Sequence, residues 1–217
     1  MWSVRESEQM RDEWPTSPPP PWPATVRATL WWHRATPGAG LFGPGGRVLP
    51  VTLAMMVDYL ESPVGPYREI LASPVLRAPS RRIGVLPAMA VPFIAVDSEP
   101  SVHGGREHWH LPKVLADFDG DVTDTVTAVG DGWRIRTTAR PFGPSLPILG
   151  ALGFAQPVPD GGLAGARARL RGRFRAARVT VNATGPTLGH WMKPGTHPGI
   201  VIESGAMSTG PARITRG

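Results

Sequence analysis

The chain has 217 residues, 41% of them hydrophobic, and a formal net charge of +6. That length holds one large domain or two small ones and suffices to bury a core. With 26 glycines and 26 prolines it disfavours a helical bundle, and with no cysteine it excludes a disulfide framework, a thiol nucleophile and a thiolate metal site. The first ten residues are polar and show no secretory signal. The longest apolar run, 84–96, contains Pro87 and Pro92 and is too short to span a bilayer. A cytoplasmic protein is expected, with no membrane partner.

Residues 1–24 read as a tail. Mixed charges give way to Pro15 and Pro18–Pro21, an extended linker that Trp14 and Trp22 could pin to the body. A single domain follows over 25–217. Val26–Arg34 is rich in β-branched and aromatic residues and reads as a strand. Arg47–Leu60 is largely apolar, ambiguous between strand and helix, and is read as strand. Tyr67–Arg77 and Ile83–Val96 follow as strands. Helical spacing over His108–Phe118 is limited by Pro112 to a turn or two. Asp121–Val129 and Gly132–Ala139 read as a hairpin turning at Gly130-Asp131-Gly132. Pro141–Gly153 reads as a Pro/Gly-rich insertion with one helical turn, Arg167–Asn182 as a long strand, and Ile200–Ser204 as the last one.

Several motifs carry little. Arginines at 167, 169, 171, 173 and 175 alternate, which places them on one face of a strand. Such a stripe suits phosphates, but a solvated sheet face explains it as well, and no aromatic interleaving supports nucleic acid. His103, His108 and His110 lack the convergent spacing a metal site needs, so no metal is expected. Gly43-Pro44-Gly45-Gly46 has no lysine to make a phosphate loop, and no Gly-x-Ser-x-Gly elbow is present.

Lysine is the informative residue type. Of the 23 Lys and Arg residues only Lys113 and Lys193 are lysine. A neutral lysine can attack a carbonyl and hold it as an imine, which arginine cannot. An ordinary lysine, with a pKa of ~10.4, is neutral at pH 7 in only a few copies per ten thousand, and reaching parity there costs roughly 4–5 kcal/mol. Desolvation can supply this. Trp109, Leu111, Pro112, Val114 and Leu115 make an apolar setting for Lys113. A carboxylate would be needed close by to orient substrate and carry a proton, but not as a tight ion pair, which would raise the lysine's pKa again.

Three blocks occur in order: Val64-Gly65-Pro66-Tyr67-Arg68-Glu69; then Val96-Asp97-Ser98-Glu99-Pro100; then Gly105-Arg106-Glu107 with Leu111-Pro112-Lys113. Their order and spacing resemble the acetoacetate decarboxylase family, most strongly over residues 47–118. The resemblance implies an α+β, mainly antiparallel fold: a cone-like, curved β-barrel with a few short helices around an apolar pocket. It implies Lys113 as the imine-forming lysine, Glu69 as the catalytic carboxylate and no cofactor.

The chain also departs from the family. Val114 stands where the family has a second lysine. Ungapped counting puts Ala54 at an acidic position of the preceding strand. The substrate-binding arginine falls at Val26, so Arg27 would serve only after a one-residue slip, which reverses the side chain's face. The expected activity is Schiff-base lyase chemistry on a small oxo acid, decarboxylase-like. The alternatives are a sister imine reaction of aldolase or dehydratase type, or a non-catalytic barrel binding an apolar carboxylate ligand. The expected partners are a small oxo acid or carbonyl substrate and further copies of this chain, with no nucleic acid. Lys193 receives no role.

Overall fold

A computed structural model describes residues 17–43, 45–81, 84–159 and 161–216. Among them are one 14-stranded sheet and one α-helix. The strands are β1 (Trp22–Arg34), β2 (Val48–Leu49), β3 (Val51–Glu61), β4 (Tyr67–Ser73), β5 (Leu76–Arg77), β6 (Ala88–Met89) and β7 (Phe93–Val96). Helix α1 (Glu99–Trp109) comes next. After it run β8 (Lys113–Leu115), β9 (Asp117–Gly120), β10 (Thr125–Gly130), β11 (Trp133–Pro157), β12 (Leu163–Thr184), β13 (Gly195–Thr209) and β14 (Arg213–Thr215). The main path of paired strands is β2-β5-β6-β11-β12-β13-β1-β3-β4-β7-β8. Pairing is antiparallel except for β6 with β11 and β7 with β8. The strand-rich, mainly antiparallel expectation holds. The path has two ends, β2 and β8, so closure into a barrel does not follow from the pairing.

Strands at the centre are buried on both faces, which explains their continuous apolar runs. In β3, Ala54 and Met56 pack with Trp31 and Ile70 in one core, while Met55 and Val57 point the other way, to Val26, Ala28 and Ile202. The period of two therefore divides each strand between a solid core and the wall of a cavity. Such runs cannot be told from a buried helix by periodicity, and β3 confirms the strand reading of 47–60.

Two expected elements are corrected. The helix lies at 99–109, upstream of the 108–118 segment, which instead supplies β8 and β9. Pro100 sits in its first turn, where its missing N–H costs nothing, and the Ser98 hydroxyl caps the Ser101 N–H at 3.4 Å. His110 ends it in the left-handed conformation, φ 54°. Pro141–Gly153 is no insertion with a helical turn but the middle of β11, paired with β12 through a bulge between Phe142 and Leu146. Arginines of the stripe hold that bulge: Arg173 donates to the Ser145 carbonyl at 2.7 Å and Arg175 to the Gly143 carbonyl at 3.1 Å. The hairpin is as expected, closing at Gly130 opposite Trp133. The tail's Trp14 lies outside the described residues. Trp22 already belongs to β1 and packs edge-on against Trp109, ring centroids 4.9 Å apart.

Candidate active site

Three strands and the helix deliver the polar end of the cavity. In β4 the residues alternate, so Tyr67, Glu69 and Leu71 face the cavity while Arg68 and Ile70 face away. Tyr59 of β3 lies opposite Tyr67 in the β3–β4 register, and the two rings stack at 4.2 Å. On the far side of β7, β8 places Lys113 beside Ile94.

Lys113 Nζ lies 2.7 Å from Glu69 Oε2, a tight ion pair rather than the looser carboxylate expected beside a neutral amine, and each side chain is only 4% exposed. Nζ also donates to Ser101 Oγ at 2.8 Å and sits 5.2 Å from the centre of the Tyr67 ring. The Tyr59 hydroxyl donates to Glu69 Oε1 at 3.2 Å, so both carboxylate oxygens are engaged. Burial, and after it the Glu69 charge, pushes both phenols well above their ordinary 10.0. Tyr59 is therefore a protonated donor at neutral pH.

The helix shapes itself to the lysine. A Cβ at Gly105 would come within 2.5 Å of Lys113 Cδ and 2.7 Å of its Cε, so only glycine lets the stem lie across α1. Arg106 grips the Lys113 carbonyl with two N–H groups, at 2.9 and 2.6 Å. The Gly105-Arg106 pair thus serves as saddle and clamp for the lysine. Sequence reading placed it in a motif but gave it no task, and it gave none to Tyr59, Tyr67 or Ser101. Glycine at 105 and the period of two back from Glu69 to Tyr67 are the signals that point to two of them.

The cavity has a volume of about 300 Å³ and runs from this end to Ile148, Gly150 and Ala151 of β11. Among its lining residues only Lys113 and Glu69 are charged. Lys113 and Glu69 are brought together; Arg27 is not with them. The Arg27 guanidinium points to the other face of β1, where it meets Asp58 at 2.7 Å and Asp121 at 3.4 Å. It is Val26, the residue reached by ungapped counting, that lines the cavity. Ala54 is buried in the opposite core, and Met55 and Val57 form the cavity wall of β3. Val114 points outward, 41% exposed. The histidines diverge: His103 pairs with Glu107, His108 contacts Ser17, and His110 is exposed. Lys193 is exposed, its N–H donating to His33.

The acetoacetate decarboxylase family model matches residues 44–142. No curated protein sequence matches the chain. Three solved structures share the fold at low identity. Acetoacetate decarboxylase from Legionella pneumophila subsp. pneumophila str. Philadelphia 1 is 15% identical, with a TM-score of 0.63, covering 94% of this chain and 90% of that one. An acetoacetate decarboxylase-like enzyme from Sphingomonas wittichii RW1 is 13% identical, with a TM-score of 0.63 and coverages of 92% and 94%. The enduracididine biosynthesis enzyme MppR, complexed with pyruvate, is 15% identical, with a TM-score of 0.61 and 93% coverage of each chain.

Proposed function

From the premise that this chain resembles the acetoacetate decarboxylase family in sequence over residues 44–142 and in fold over nearly its length, we propose that it is a Schiff-base lyase acting on an oxo acid. The observation that carries this reading is a lysine amine buried in the wall of an apolar cavity, held at 2.7 Å from the one carboxylate among the lining residues. The sheet is read as a cone-like barrel curled around that cavity. Its support is that only Pro50 separates β2, at one end of the strand path, from β3 near the other.

The reaction proceeds in balanced steps. Lys113 Nζ passes a proton to Glu69 Oε2 and adds to the ketone carbon, and a proton moves from the nitrogen to the oxygen to give the carbinolamine. The carbinolamine oxygen takes a proton from Glu69 and leaves as water, giving an iminium ion. That cation draws the electron pair of the bond between the α carbon and the carboxylate as CO2 departs. The resulting enamine takes a proton at carbon from solvent, relayed by Glu69, and water adds to the new iminium to release the ketone and the Lys113 amine. Glu69 is the proton carrier, and the Tyr59 hydroxyl orients it through Oε1. Among the described residues no arginine lines the cavity to hold the substrate carboxylate, so among them the iminium nitrogen is its only cationic neighbour there. A buried carboxylate without a partner is costly, and conversion to neutral CO2 relieves that cost.

The test is borohydride reduction in the presence of acetoacetate, pyruvate and longer oxo acids, followed by peptide mass analysis. With two lysines the assignment is direct. The expected result is an adduct on Lys113 that is absent in Lys113→Arg. An unmodified protein with every oxo acid overturns the proposal and leaves a ligand-binding fold, whose amine pairs with Glu69 and attacks nothing.

A further inference from the structure

The polar machinery occupies one end of the cavity and leaves most of it to carbon. On the scale of ~30 Å³ per water in the liquid, a cavity of about 300 Å³ holds the equivalent of about ten waters. Acetoacetate, with seven heavy atoms at roughly 20 Å³ each when close-packed, takes up about 140 Å³, just under half of the cavity. The remainder, roughly 160 Å³, has room for about eight methylenes at the same size per heavy atom.

That remainder is walled by carbon. Met55, Phe154, Leu170, Ile202 and Met207 line it, and the strand positions that face it from β12 are Ala168 and Leu170, never the alternating arginines. A second charged group would find no partner there, since Arg27 is committed to Asp58 and Asp121. Water alone would fill it poorly, because apolar walls offer it no hydrogen bonds. Gly150 and Ala151 of β11, which also line the cavity, are exposed, whereas Lys113 is buried.

We propose that the substrate is a 3-oxo acid carrying a linear apolar chain of about six to eight carbons beyond the ketone, with no second charge. This rests on the imine reading for its reactive end, but the tail site is a separate physical claim. Burial of each added methylene in such a site strengthens binding about fourfold.

The test uses neutral methyl ketones, the products of such a reaction, as probes. 2-Butanone, 2-heptanone, 2-nonanone and 2-undecanone are titrated calorimetrically into the wild-type protein and into Lys113→Met. The expected result is an affinity that rises severalfold per methylene as far as 2-nonanone in both proteins, because the tail site does not need the amine. Leu170→Trp, which fills the tail space, is expected to end the rise at a shorter ketone. An affinity that is flat from 2-butanone to 2-nonanone overturns the proposal. Borohydride trapping with acetoacetate and 3-oxodecanoate runs in parallel, and preferential trapping of 3-oxodecanoate on Lys113 is expected. A rising ketone series with no trapped oxo acid sinks the lyase reading while the tail site stands. Trapping of acetoacetate with a flat series sinks the chain-length proposal alone.

Discussion

Replacing Gly105 by alanine tests how tightly the fold confines the lysine. The new methyl carbon would lie 2.5 Å from Lys113 Cδ, about 1 Å inside ordinary contact. The stem cannot swing aside freely. Its amine is tied to Glu69 and Ser101, and its carbonyl is gripped by Arg106. Alanine favours the helix by about 1 kcal/mol over glycine. Overpacking costs about 1–3 kcal/mol. The net expectation is a loss of about 0–2 kcal/mol, or a Tm lower by up to about 8 °C for a chain of this size. The effect on chemistry is larger, because a displacement of about 1 Å at a reacting group costs about a hundredfold in rate. The assay pairs thermal unfolding by circular dichroism with the rate of borohydride trapping by an oxo acid. A variant that is more stable by about 1 kcal/mol and traps at the wild-type rate would refute the claim that α1 positions the amine.

Three further outcomes are expected. Glu69→Ala leaves the Lys113 ammonium buried without its carboxylate and lowers stability by about 3–5 kcal/mol in urea titration, whereas the double change Lys113→Met, Glu69→Leu recovers most of the loss. Arg27→Met removes a half-exposed ion pair on the face away from the cavity, so it changes stability by at most about 1 kcal/mol and leaves methyl ketone affinity unaltered; a large fall in affinity would place Arg27 in the site. His33 is buried, with Nδ1 on the Arg34 carbonyl and Nε2 accepting the Lys193 N–H; burial lowers its pKa from 6.5, and the charges of His197 and Lys193 act in the same direction. Because the unfolded chain then binds the proton more readily, stability is complete above pH about 6.5 and falls as the pH drops toward the folded value. The Tm of the wild type is expected to decline between pH 6.5 and 5, and a His33→Gln variant with the same slope would exclude His33 as the cause.

Local chemistry alone determined much of the chain. The hairpin around Asp131-Gly132 was legible because a two-residue turn with glycine at positive φ suits the strand twist. The strand at 163–184 was legible from the alternation of arginine with smaller residues, and Lys113 and Glu69 from the order of three blocks. The helix at 99–109 was hidden because Pro100, Gly104 and Gly105 read as breakers. In the fold Pro100 occupies the first turn, where it is harmless. Gly104 makes room for Trp22 and Gly105 for the Lys113 stem, and neither partner lies on the helix itself. Pro141–Gly153 was hidden for a related reason: its extended state is held by a partner strand and by Arg173 and Arg175, not by its own propensity.

The direction of a side chain is the quantity that the tertiary structure decided. Which of Val26 and Arg27 enters the cavity depends on the pairing of β1 with β3 and β13, and one step along a strand reverses the answer. The same parity sends Met55 to the cavity and Ala54 to the opposite core, and it leaves Lys113 and Glu69 as the only charges facing inward among the lining residues. Residue type declared the chemistry available to this chain; strand register, which integrates contacts across the whole sheet, decided which of those residues meet.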